Sequence, residues 1–82
     1  MITLYSTEGC HLCEMAYALL NEVGLTKQVD VVEMEIAFND ELFSRYAVTI
    51  PVVAYQGNEL NWPFDIQELR EWLKHNGINY HP

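Results

Sequence analysis

Cys10 and Cys13 are the only cysteines of the chain and stand in the run Thr7-Glu8-Gly9-Cys10-His11-Leu12-Cys13. Two thiols separated by two residues have three uses: a redox couple, half of a tetrahedral zinc site, or a pair of small apolar residues in a core. Zinc would need two further ligands, and His11, His75 and His81 stand at no familiar ligand spacing, so no metal is expected. The residues after the first cysteine set the local chemistry. Leu12, Ala16, Leu19, Leu20 and Val23 recur at helical spacing and Gly24 comes next as a stop, so a helix begins near Cys10. The unpaired N–H groups and the macrodipole of a helix start stabilise an anion, which makes Cys10 the candidate nucleophile. Cys13, three residues on, returns to the same end of the helix and can resolve a mixed disulfide formed at Cys10. His11 can stabilise a thiolate when protonated, while Glu8 and Glu14 oppose it.

The elements that must position these thiols can be read on either side of them. Ile2–Ser6 is a short β-prone segment leading into the cysteine run, and Val29–Ile36 a second one with a wetter face. Asn39 or Asp40 can cap a short helix carrying Leu42, Phe43 and Tyr46. Residues 48–55 are β-branched and apolar and read as one buried strand entered through Pro51. Gln56-Gly57-Asn58 supplies a turn and Glu59-Leu60-Asn61 an antiparallel partner. Asp65 and Glu68 have capping-box spacing before a last helix with Ile66, Leu69 and Leu73 on its buried side, ended by Asn76-Gly77. The order β-α-β-α-β-β-α, with right-handed crossovers, predicts an α/β fold: a four-stranded mixed sheet with helices on both faces. The tail through His81 and Pro82 is expected to fray.

Composition bounds the function. The 82 residues leave room for one domain, 1–82, and half of them are apolar, which is the make-up of a packed globule. The net charge of −8, with 12 acidic residues against Lys27, Arg45, Arg70 and Lys74, repels nucleic-acid phosphates and anionic membranes, so neither is an expected partner. The first residues lack the basic and apolar runs of a signal peptide, and no stretch is long enough to cross a bilayer, so a cytoplasmic monomer is expected. In that reducing compartment a permanent structural bridge is disfavoured. The acidic run Glu33, Glu35, Asp40 and Glu41 reads as a solvated face, and Tyr46 and Tyr55 as packing residues. Trp62 and Phe64 read as core pieces or as a flat rim beside Cys10, with core favoured for at least one of them.

Taken together, the strand, Cys10-His11-Leu12-Cys13, the helix and then Thr49-Ile50-Pro51-Val52 resemble the thioredoxin fold, and within it the small glutaredoxins and a glutaredoxin-like family of bacterial proteins. The likeness spans essentially residues 1–75. It implies a thiol–disulfide oxidoreductase or electron donor, with Cys10 as exposed nucleophile and Cys13 as resolving thiol. Only about 5–6% of X–Pro bonds are cis, yet the resemblance implies a cis Ile50-Pro51 bond facing the cysteines. A cis bond there would leave the N–H and C=O of Ile50 to pair with an extended substrate. Thr49, Ile50, Pro51, Asp65 and His11 are the implied substrate-binding residues. Two departures stand out. His11-Leu12 replaces the usual proline-containing pair, and Asn61-Trp62-Pro63-Phe64-Asp65 replaces the Gly-Gly-x-Asp segment that helps hold glutathione, leaving Asp65 alone. Glutathione is therefore expected to bind weakly and transiently, with no permanent cofactor. The expected partners are a protein disulfide or a small thiol or disulfide, and a reductant that recycles the pair. The alternative is a redox-inert module that binds a partner segment by strand pairing near Pro51.

Overall fold

A computed structural model describes residues 1–78, so His81 and Pro82 lie outside the described residues. The elements are β1 (Ile2–Ser6), α1 (His11–Glu22), a 3-10 turn (Leu25–Lys27), β2 (Val31–Glu35), α2 (Asp40–Tyr46), β3 (Val52–Tyr55), β4 (Asn58–Asn61) and α3 (Ile66–His75). The strands form one sheet in the order β2-β1-β3-β4. β1 and β2 are parallel, with Ile2 opposite Val31 and Ser6 opposite Glu35, while β3 runs antiparallel to both β1 and β4. This is the expected mixed sheet flanked by three helices.

Alternation along the strands divides the core between the two faces. Ile2 and Leu4 of β1 and Val53 of β3 pack with Ala16 and Leu20 of α1 and with Leu69 and Leu73 of α3. On the opposite face Val52 and Tyr5 meet Ile36, Leu42 and Tyr46, which docks the short α2. Tyr46 stacks on Tyr5 with ring centroids 4.2 Å apart and donates its hydroxyl to Glu59 of β4. The tyrosines expected to be packing residues therefore include the one that ties α2 to the sheet. The caps form where the sequence places them: Asn39 accepts from Leu42 N–H at 3.0 Å, and Asp65 and Glu68 exchange both bonds of a capping box. Gln56 and Gly57 both have positive φ, the geometry of a two-residue hairpin turn, which only glycine adopts without steric cost at the second position.

Three details depart from the sequence reading. The strand expected over residues 48–55 begins only at Val52, because Thr49 N–H and Ile50 N–H both turn back to Tyr46 O at the end of α2. Val48 is thereby left 97% exposed. In α1 the buried stripe runs through Cys13, Ala16 and Leu20, and Leu12 points outward. The 3-10 turn after Gly24 was not expected; Leu25 enters it to fill the core.

The topology decides where chemistry can happen. The C-terminal ends of β1, β2 and β4 and the N-terminal end of β3 lie at one end of the sheet. The cysteine run, the 36–39 loop, the 47–51 segment and Trp62-Pro63 all leave the sheet there.

Candidate redox site

Cys10 sits at the junction of loop and helix. After β1 the chain turns through Thr7, Glu8 and Gly9, whose φ of 78° is in the left-handed region, and Cys10 N–H closes the turn on Thr7 O at 3.2 Å. Cys10 then takes the N-cap position of α1, with an extended backbone and its Sγ 3.1 Å from the N–H of Cys13. An oxygen-bearing side chain ordinarily fills this position. Here sulfur accepts the helix's unpaired N–H, an arrangement that favours a thiolate once the sulfur is reduced. Cys10 and Cys13 are joined as a disulfide with Cα atoms 5.2 Å apart. Cys10 is half-buried, whereas Cys13 is only 4% exposed and faces the core from the first turn of α1. His11 is exposed, its Nδ1 lying 3.7 Å from Glu14 Oε2.

The other expected site residues lie at the same end of the sheet, with one correction. The Ile50-Pro51 bond is cis as expected, and Trp62-Pro63 is a second cis bond that was not foreseen. Tyr5 pairs with Val52, so Pro51, which is buried, continues the register next to the end of β1. The N–H of Ile50 is not free: it donates to Tyr46 O at 3.0 Å, because the last carbonyls of a helix seek donors and the chain turns directly off α2. Thr49 is committed to the same carbonyl through its N–H at 2.9 Å and its hydroxyl at 3.3 Å. Asp65 accepts Glu68 N–H on Oδ1 at 2.7 Å, and its own N–H donates to Glu68 at 3.2 Å. Phe64 is core, and Trp62 is half-buried, packed against the same cluster with its ring centroid 5.1 Å from that of Phe64, which is the core reading of this aromatic pair. Arg45 lies over the Tyr46 ring at 5.6 Å. Among the described residues no group of three or more potential metal ligands assembles, and no helix is long and apolar enough to cross a membrane.

Glu35, read from sequence as part of a solvated face, holds the cysteine loop instead. From the end of β2 its Oε1 accepts Glu8 N–H at 2.9 Å and its Oε2 accepts Ala37 N–H at 3.0 Å. Its carboxyl is held below the usual glutamate range by the Ala37 N–H first, then by the Thr7 hydroxyl and the Glu8 N–H, against an opposing loss of hydration. The signal was present in the order of elements: a parallel partner of β1 must end beside the loop that leaves β1. Phe38, in the loop after β2, is 93% exposed.

This architecture has known counterparts. A family model described as Glutaredoxin-like domain (DUF836) matches residues 1–74. The X-ray structure of a Northeast Structural Genomics target protein from X. campestris is 34% identical and superposes with a TM-score of 0.82, covering 92% of this chain and 97% of that one. The solution structure of that target is 33% identical with a TM-score of 0.79, covering 99% and 97%. No curated protein matches. A cysteine pair at the helix entrance, on a mixed sheet flanked by three helices, fits a redox-type thioredoxin fold. With the family match running from residue 1 to residue 74, the chain belongs to the glutaredoxin-like domain family (DUF836).

Proposed function

We propose that the protein is a thiol–disulfide oxidoreductase with Cys10 as nucleophile and Cys13 as resolving thiol. The observation that carries this reading is the pairing of a half-exposed sulfur at the N-cap, Cys10 Sγ 3.1 Å from Cys13 N, with a buried sulfur one turn inside the helix. In the reducing direction the Cys10 thiolate attacks one sulfur of a substrate disulfide, forming a mixed disulfide and expelling the other sulfur as a thiolate. Cys13 gives its proton to solvent and attacks Cys10 Sγ, which closes the Cys10–Cys13 bond and releases the second substrate thiolate. The substrate gains two electrons and the pair loses two. A dithiol or protein reductant then returns the pair to its starting state.

The preferred substrate is a disulfide-bearing polypeptide with an apolar side chain and basic residues near the bond. Leu12, Phe38 and Val48 are exposed on three segments that leave the same end of the sheet. Glu8, Glu14 and Asp40 lie on those segments or beside them, within a chain of net charge −8. Glutathione fits poorly. It is a net anion, and its carboxylates need positive charge or unpaired N–H groups. Ile50 N–H is taken by Tyr46, Pro63 has no N–H, and the N–H and Oδ1 of Asp65 are engaged in the cap of α3. A monomer acting in the cytoplasm completes the proposal.

The test is dithiothreitol-driven reduction of a basic disulfide-bearing peptide and of an acidic one of the same length, at low and high salt. The basic peptide is expected to react faster, with a rate that falls as salt screens the attraction, and Cys10→Ser is expected to abolish turnover. Reduced glutathione titrated into the Cys13→Ser protein should bind weakly. Saturation at low micromolar glutathione, or glutathione-coupled turnover equal to that of a dithiol glutaredoxin run alongside, would contradict the substrate assignment.

A further inference from the structure

We infer that Glu35 is the positioning residue of the cysteine pair: its carboxylate sets the Thr7-Glu8-Gly9 turn and so holds Cys10 at the entrance of α1, in reach of Cys13. The turn has few other supports. Its closing bond, Cys10 N–H to Thr7 O, is 3.2 Å long, and Gly9 at its centre has positive φ and no atom within 4 Å of where a Cβ would lie. Nothing packs against that point to hold it. The carboxylate of Glu35 does so from the neighbouring strand: it accepts Glu8 N–H at 2.9 Å, and the Thr7 hydroxyl lies near enough to help hold the carboxyl below its usual range. The second carboxylate oxygen accepts Ala37 N–H at 3.0 Å, which fixes the carboxylate to the root of its own loop. One side chain therefore clamps the last residues before Cys10 to the end of β2, and the charged acceptor makes each bond stronger than a neutral pair. The hydrogen bonds of Glu35 run to Glu8 and Ala37 and not to either sulfur, so it acts through the loop.

The consequence is a more favourable Cys10–Cys13 bond. Closing a disulfide within one molecule depends on the effective concentration of one thiol beside the other, and a loop held in place raises it. Released from Glu35, the turn samples other conformations and Cys10 spends less time at the N-cap position, so the pair is reduced more readily.

The proposal rests on the dithiol reading, and the parent protein tests that reading in the same experiment. The parent, Glu35→Ala, Thr7→Val and, as a charge control, Glu41→Ala from the exposed first turn of α2, are equilibrated with thiol–disulfide buffers of graded redox poise, and the thiol fraction is read by alkylation and mass. Thermal unfolding followed by circular dichroism confirms that each variant is folded. Glu35→Ala is expected to shift the equilibrium more than twofold toward the dithiol, Thr7→Val to shift it the same way by less, and Glu41→Ala to stay within twofold of the parent. Should Glu35→Ala not fold, Thr7→Val, which removes one donor and keeps the charge, decides by the presence or absence of its shift. A Glu35→Ala equilibrium within twofold of the parent, a shift toward the disulfide, or an equal shift in Glu41→Ala would overturn the positioning role while leaving the redox reading intact. A parent that forms no reversible couple would overturn both.

Discussion

Cys10 has three properties that reinforce one another: an extended backbone at the N-cap, a sulfur within hydrogen-bond distance of Cys13 N–H, and access to solvent that Cys13 lacks. A helix start lowers the free energy of an anion placed there, and burial raises that of a thiolate inside the core, so the two sulfurs are expected to differ in reactivity although they are three residues apart. Alkylating the reduced protein with a limiting reagent and mapping the label should find Cys10 modified first. Cys13→Ser should accumulate a mixed disulfide at Cys10 on exposure to a small disulfide, and Cys10→Ser should form no corresponding adduct at Cys13. Prior labelling of Cys13 would reverse the assigned roles. The cysteine pair, the capping role of Asp65 and the cis bond at Ile50-Pro51 were all legible in the sequence, the last through family resemblance alone. The engagement of Ile50 N–H was not, since it depends on how tightly the chain turns off α2. Glu35 was legible only as far as element order puts the end of β2 beside the cysteine loop; one glutamate among alternating acids looks like its neighbours until strand register sets it opposite Ser6.

At the level of elements, α2 is the marginal piece. It has seven residues, short of what an isolated helix needs, so its stability comes from docking on the sheet. Tyr46 supplies much of that docking by stacking on Tyr5 and by donating its hydroxyl to Glu59. Burial, with the Glu59 hydrogen bond and charge adding to it, pushes the Tyr46 phenol from 10.0 up to about 12. The folded state thus holds its proton above the pH at which the unfolded state releases it. The stabilisation is fully present below pH 10 and is lost as pH rises toward 12. Tyr46→Phe keeps the stack and removes the hydroxyl, and should cost about 1 kcal/mol at neutral pH. Its deficit in melting temperature relative to the parent should shrink above pH 10; a deficit independent of pH would mean that the hydroxyl does not carry the effect. Element order, caps and the hairpin were readable because they rest on local signals such as Asp65 with Glu68 and Gly57. The segment at 48–51 reads as strand from sequence because β-branched composition describes preference, whereas in the fold the carbonyl of Tyr46 captures two of its N–H groups.

For the whole molecule, the sheet order brings four chain segments to one end, and the chain around them is acidic. With 12 acidic side chains and four basic ones, encounter with an anionic thiol is expected to be slowed and encounter with a basic polypeptide favoured. The fold provides a stage for this chemistry but does not by itself confer it, since function lives in the site and one fold hosts many functions. The two-electron reduction potential of the Cys10–Cys13 pair separates these cases most directly. Equilibrated with buffers of graded thiol–disulfide poise, the protein is expected to show one reversible transition within the span of thiol–disulfide proteins, roughly −120 to −270 mV, and Cys13→Ser is expected to show none. Thiols that stay free under oxidation, or a bridge that no dithiol buffer opens, would contradict the oxidoreductase assignment.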